Sequence, residues 1–158
     1  MDKVIVTALL IIASVAAATL VMTTILPSIS SGSQSVVETQ QESAGRLRTS
    51  IEVIAATSDV TGTGVDAWAK NVGLDPINPI NKADVFIITP GTRFDAMTYS
   101  TSGADNTWVE DPPGARWNRG DTLHIKVFLP AANPLTTGDH VIRVTTHNGV
   151  SADQTFSR

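Results

Sequence analysis

The sequence predicts an α+β chain: a long hydrophobic N-terminal helix followed by an immunoglobulin-like antiparallel β-sandwich. Three observations carry this. No charged residue stands between Lys3 and Glu38, and Val4–Leu26 is apolar except for Thr and Ser. From Thr57 onward the texture changes to short runs of alternating apolar and polar residues, punctuated by turn dipeptides. With no cysteine among 158 residues, the domain is held by its core and its neighbours, without disulfides or thiolate metal sites. The division this suggests is a helical part, 1–57, and a sandwich, 58–158.

The apolar segment, 4–26, is 23 residues long. As a helix it measures about 35 Å at roughly 1.5 Å per residue, which matches a hydrocarbon core of about 30 Å. It exceeds a typical signal-peptide core, carries a single cation ahead of it, and has no small-x-small cleavage site before a polar start. Ala16-Ala17-Ala18 lies in its middle, where cleavage would leave apolar residues behind. The expectation is a retained helix, with Lys3 marking the cytoplasmic side on insertion. Ala8, Ala13, Ala16, Ala17 and Ala18 interleave with large aliphatics such as Ile12, Val15 and Leu20. Small residues let helix backbones approach closely, whereas Leu and Ile alone serve lipid. The two readings are a plain membrane anchor and a helix that packs on copies of itself. For the second, the polymerisation residues are Val4, Ala8, Ile12, Ala13, Ala17 and Leu20.

Pro27 lacks an N–H and clashes with the preceding turn, and Ser28, Ser30, Ser31, Gly32 and Ser33 follow it. Residues 27–33 are therefore expected to form a kink or joint, locally bent or non-helical, with Pro27 and Gly32 as its flexible residues. Helicity is expected to resume over 36–56. There Val37, Ala44, Leu47, Ile51 and Ile54 form one stripe, and Glu42 precedes Arg46 by four residues.

Seven strands are expected beyond residue 57: 65–71, 84–89, 94–99, 107–110, 122–129, 140–147 and 150–156. Leu123, Ile125 and Val127 alternate with His124 and Lys126, and Ile142 and Val144 with Arg143 and Thr145. Asn148-Gly149 between two such runs reads as a two-residue hairpin turn. Trp68, Trp108 and Trp117 are expected in the core or at a subunit contact.

No catalytic, cofactor or metal site emerges. His124 shares a strand face with Lys126. His140 and His147, seven apart, point to opposite faces of a regular strand, so all three histidines read as solvated. There is no calcium loop of alternating carboxylates, no G-x-S-x-G elbow and no glycine-rich phosphate loop. Arg119-Gly120-Asp121 reads as a turn before a strand. The formal charge of −4 comes with no basic cluster, which argues against a nucleic-acid partner. Aromatic residues make up 5%, too few to suggest a carbohydrate-stacking platform.

A charge-free N-terminal helix, an amphipathic continuation and a cysteine-free sandwich together resemble the type IV pilin superfamily, and within it the archaeal flagellins (archaellins) and their pilin-like accessory proteins. The local elements are the run 5–26, which looks like the archaellin filament-core helix, and Trp68-Ala69-Lys70-Asn71-Val72-Gly73 followed by Ala83-Asp84-Val85-Phe86-Ile87. Ile5 stands where bacterial pilins usually carry Glu, which favours the archaellum side. Such proteins are made with a short basic leader. None precedes Met1, so the expectation is either mature numbering or no processing. The resemblance implies a structural subunit without enzymatic activity: a membrane-anchored precursor, extracted by an assembly ATPase and a platform membrane protein, that joins identical subunits in an extracellular helical homopolymer for motility. The competing readings are an accessory or stator protein of the archaellum and a membrane-anchored adhesin with a sandwich binding module.

Overall fold

An α-helix, α1, runs Asp2–Leu20 and is followed by one π-helical turn, Val21–Ile25, and a second α-helix, α2, Leu26–Arg48. The computed structural model describes residues 2–114 and 116–158, with backbone alone at 25–33 and 35. The chain divides into two compact units, Met1–Ser43 and Ala44–Arg158.

Of the two readings of 27–33, a kink or a non-helical joint, the non-helical joint is corrected, because α2 passes through it. The departure from α geometry lies one turn earlier. A proline has no N–H to give the carbonyl four residues back, and its ring crowds that carbonyl. Widening the preceding turn to the π form is a way of relieving this conflict within a helix. Beyond their backbone, Pro27 and Gly32 lie outside the described residues.

A second correction concerns 36–56. The helix ends at Arg48, and Ile51–Ser58 is a strand, β1. The Thr49 hydroxyl and amide both turn back to the Gly45 carbonyl, at 2.9 and 3.1 Å, and close the last turn. The helical stripe therefore breaks at Leu47, which is 88% exposed, while Ile51 and Val53 are buried as alternate residues of a strand.

The remaining strands are β2 (Gly64–Asn71), β3 (Asp84–Thr89), β4 (Arg93–Tyr99), β5 (Thr107–Asp111), β6 (Thr122–Phe128), β7 (Asp139–Thr145) and β8 (Ser151–Ser157). The sheet order is β1-β2-β6-β5-β4-β3-β7-β8. Every neighbouring pair is antiparallel except β4–β5, which is parallel over Thr98–Thr107 and Tyr99–Trp108. That junction joins two antiparallel layers, and β8 lies against β1, so the eight-stranded sheet is nearly closed.

The core follows the alternation. Val65, Ala67 and Ala69 of β2, Leu123, Ile125 and Val127 of β6, Val85 and Ile87 of β3, and Ile142 and Val144 of β7 are all buried. Burying one such aliphatic side chain contributes about 1.5–3 kcal/mol. Trp108 and Trp117 are buried, as expected. Trp68 lies outside the core: it faces outward and stacks on His124, ring centroids 4.7 Å apart, which leaves the subunit-contact alternative for it untouched. The β7–β8 turn is longer than the two residues expected. The Thr146 carbonyl accepts from the Gly149 amide, the Thr146 amide donates to the Val150 carbonyl, and Gly149 has φ +83°. This is a three-residue loop with glycine in the left-handed region.

Candidate functional site

The feature that dominates the surface is α1. Asp2–Thr24 is a 23-residue helical span long and apolar enough to cross a membrane. None of the α1 residues is buried. Val4, Ile12 and Leu20 are 74, 66 and 63% exposed, and Ala8, Ala13 and Ala17 are exposed too. By helical period the six fall on two ridges, Val4-Ala8-Ile12 and Ala13-Ala17-Leu20, rather than on one face. A helix that is apolar all round fits a membrane span or the interior of a larger assembly.

Its hydroxyls fit the same environments. Thr7 donates to the Lys3 carbonyl (2.8 Å), Ser14 to Ile11 (2.8 Å), Thr19 to Val15 (2.9 Å), Thr23 to Thr19 (2.9 Å) and Thr24 to Leu20 (2.5 Å). Each polar hydrogen is satisfied by the helix's own backbone. The hydroxyls can therefore leave water without the cost of several kcal/mol that an unpaired polar group meets in lipid.

The sheet domain holds the histidines in unlike settings. His124 Nε2 lies 2.8 Å from Asp66 Oδ1, its Nδ1 lies 3.7 Å from Asp111 Oδ2, and Lys126 Nζ lies 2.5 Å from the same Asp111 oxygen. The Lys126 hydrogen bond and charge hold the Asp111 carboxyl below the usual carboxylate range. His147 is exposed. His140, expected to be solvated, is instead buried: Nδ1 lies 2.8 Å from the Thr89 hydroxyl and Nε2 2.8 Å from the Thr136 carbonyl. It sits at the end of the inward set Ile142-Val144, a placement that period-two counting through β7 could have revealed. Arg119-Gly120-Asp121 is a turn. Gly120 has φ +84°, and the Asp121 carboxylate accepts from the Asn118 amide at 3.0 Å. Among the described residues, no three His, Cys, Asp or Glu side chains gather as metal ligands.

One cavity of about 620 Å³ opens beside Glu110, Tyr99, Asn78 and Trp117. Glu110 is buried there and accepts from the Tyr99 hydroxyl (3.0 Å) and the Gly114 amide (3.1 Å). Sequence reasoning did not single out Glu110. Its position on β5 in register with Ile125, an inward residue, is the signal that it faces inside.

Over residues 2–156 the sequence matches the family described as archaeal-type flagellin. The chain belongs to the archaeal-type flagellin family. An uncharacterised protein of Archaeoglobus fulgidus is 30% identical over 159 residues, covering 98% of each chain. Among solved structures, the archaeal flagellum of Methanospirillum hungatei is similar over 97% of this chain and 92% of that one, at a TM-score of 0.72 and 13% identity. The archaellum periplasmic stator protein FlaG of Sulfolobus acidocaldarius is similar over 68% of this chain and 99% of that one, at a TM-score of 0.57 and 21% identity. Its complex with FlaF gives 0.57 and 22% over 67% of this chain and 87% of that one. At these identities the structural likenesses establish the fold: a family member with a long apolar helix and a mostly antiparallel, nearly closed eight-stranded sheet.

Proposed function

We propose that this protein is a structural subunit of an archaellum-type filament, inserted in the membrane by α1 before assembly and polymerised through the same helix, with the sheet domain outside. The observation that carries the reading is the complete exposure of an apolar helix whose hydroxyls are already satisfied by its own backbone. Lipid and a bundle of identical helices are both apolar, so transfer between them is nearly balanced. Close packing at Ala8, Ala13 and Ala17 tips it toward the bundle. The likeness to the Methanospirillum hungatei flagellum supports this because it spans both the helix and the sheet domain. Replacing Ala13 and Ala17 by Phe should abolish filaments while the sheet domain stays folded. Normal filaments from the double variant would overturn the reading.

A second reading, a pilin-like stator protein held in the membrane by α1, has its own support. Over 68% of its length this chain is similar to nearly all of a FlaG chain whose name places it in the periplasm. Shearing cells and asking where the protein goes separates the two. A filament subunit leaves with the sheared fraction, and a stator protein stays with the membrane.

A further inference from the structure

The two outer faces of the sheet domain differ. The face of β2, β6 and β5 is polar, with Asp66, His124, Lys126 and Asp111 joined in one network. The face of β4, β3 and β7 carries an apolar patch edged by Asp84, Asp139, Arg143 and Thr145. Phe86 and Ile88 alternate outward from the buried Val85 and Ile87, and on β4 Ala96 lies in register with Phe86, and Phe94 with Ile88. The row continues to Val141, which pairs with Ile88. Phe94 is 62% exposed and its ring centroid lies 5.2 Å from that of Phe86. An antiparallel sheet whose second face meets water normally shows polar residues there. Five neighbouring apolar side chains on three strands, two of them aromatic, form the kind of patch that marks an interaction site.

The charges around the patch say what covers it. On the outer face of β7, Asp139 and Arg143 stand two residues either side of Val141. A two-fold axis through Val141 sets β7 of one copy against β7 of another with reversed direction, so Arg143 of each meets Asp139 of the other. Both are accessible: Asp139 is exposed, with one carboxylate oxygen accepting from the Ser157 hydroxyl at 2.6 Å, and the Arg143–Asp153 pair is 43 and 42% exposed. An isologous contact requires this self-complementarity. We infer that the β4-β3-β7 outer face is a docking surface for a second copy of this chain, packed face to face about 10 Å apart around a Phe86-Ile88-Phe94-Val141 centre. This contact belongs to the sheet domain and does not rest on the role proposed for α1: an isologous contact closes at two copies, so it joins subunits before polymerisation and not along the filament.

The absence of cysteine allows a clean test on the full chain in detergent micelles. Thr155 is exposed on this face, in register with Val141, and Thr122 is exposed on the polar face. The T155C chain should cross-link to dimer with a short bis-maleimide, at least tenfold more than T122C. F94D should lower that yield at least tenfold with unchanged far-UV circular dichroism. In the T155C background, R143D and D139R should each lose cross-linking alone, and a mixture of the two chains should regain it, since each then offers the other an opposite charge at both contacts. Rescue by mixing cannot come from a folding defect. Equal yields for T155C and T122C, a yield indifferent to F94D, no rescue on mixing, or cross-linking of this face to a different protein only, would each overturn the second copy as the occupant.

Discussion

The buried side-chain amide of Asn71 donates to the Trp117 carbonyl at 3.1 Å, and the Trp117 indole N–H donates to the Ala69 carbonyl at 3.1 Å, so the two residues lock the end of β2 to the loop before β6. The same Asn71 amide donates to the Asp75 carbonyl (2.9 Å), and its oxygen accepts from the Gly73 amide (3.0 Å). Three backbone groups therefore meet at one side chain; the Gly73 amide also reaches the Ser50 carbonyl and the Trp117 carbonyl also accepts from the Ile77 amide.

Replacing Asn71 by Ala removes the Asp75 carbonyl's side-chain donor and leaves the Gly73 amide and Trp117 carbonyl with their backbone partners alone, which costs about 1–3 kcal/mol. N71D keeps the shape but aims an acceptor at two carbonyls, so it should be at least as damaging. Denaturant unfolding of the full chain in detergent, followed by tryptophan fluorescence, measures both. Wild-type stability in N71D would show that the lock contributes nothing.

Gly73 needs its missing side chain for space. A Cβ there would stand 2.6 Å from both the Arg48 carbonyl and the Ser50 amide. These are backbone atoms of the passage from α2 to β1, where the Gly73 amide donates to the Ser50 carbonyl at 2.9 Å and the Leu74 amide to Arg48 at 2.7 Å. G73A should destabilise by about 1–3 kcal/mol, in the range of other overpacked sites. Amide exchange should rise first at Val72–Leu74, whose amides close this passage.

Much of this was legible beforehand, for reasons that also explain the misses. Ile125 and Ile142 announce their strands because period-two alternation is unambiguous when one face is buried. β1 was hidden because Ala44, Leu47, Ile51 and Ile54 satisfy a helical period as well as strand alternation permits. The register irregularity between Val53 and Ala55 blurs the strand pattern further. His140 escaped because a histidine reads as polar until its two ring nitrogens are seen to have partners. The long apolar helix was readable from composition, whereas the π turn was not. Pro27 signals a break but leaves open whether the backbone stops or widens upstream.

Acid should loosen the sheet domain through its surface carboxylates. The Arg143 fork holds the Asp153 carboxyl below the usual carboxylate range, as Lys126 does for Asp111. A folded-state value below the unfolded one, about 3.9, means that the native state binds fewer protons. That contribution is complete above the unfolded value and fades as pH falls through the depressed one. Both pairs are exposed, so the effect is small. The D111N/D153N chain should lose less melting temperature between pH 5 and pH 3 than the wild type. An equal or larger loss would show that the acid sensitivity arises elsewhere.

The boundary of the sheet domain makes the last prediction. A division at residue 57 would remove all of β1 but Ser58, yet β1 pairs with β2 from Ile51–Asn71 to Ser58–Val65 and buries Ile51 and Val53. Its loss exposes the β2 edge and opens the core where β8 now lies against β1. Two aliphatic side chains at about 1.5–3 kcal/mol each are a large share of a domain stability of about 5–15 kcal/mol. A fragment starting at Ala44 keeps β1 and the last turn of α2, with Asn148 donating to the Thr49 hydroxyl at 2.6 Å. Residues 44–158 should therefore give a soluble monomer–dimer population with a cooperative melt, unchanged by chelator. Residues 58–158 should aggregate or melt at least 10 °C lower. Equal melts for the two fragments would mean that β1 is an appendage, and a chelator-sensitive melt would point to a metal site that the side-chain arrangement does not reveal.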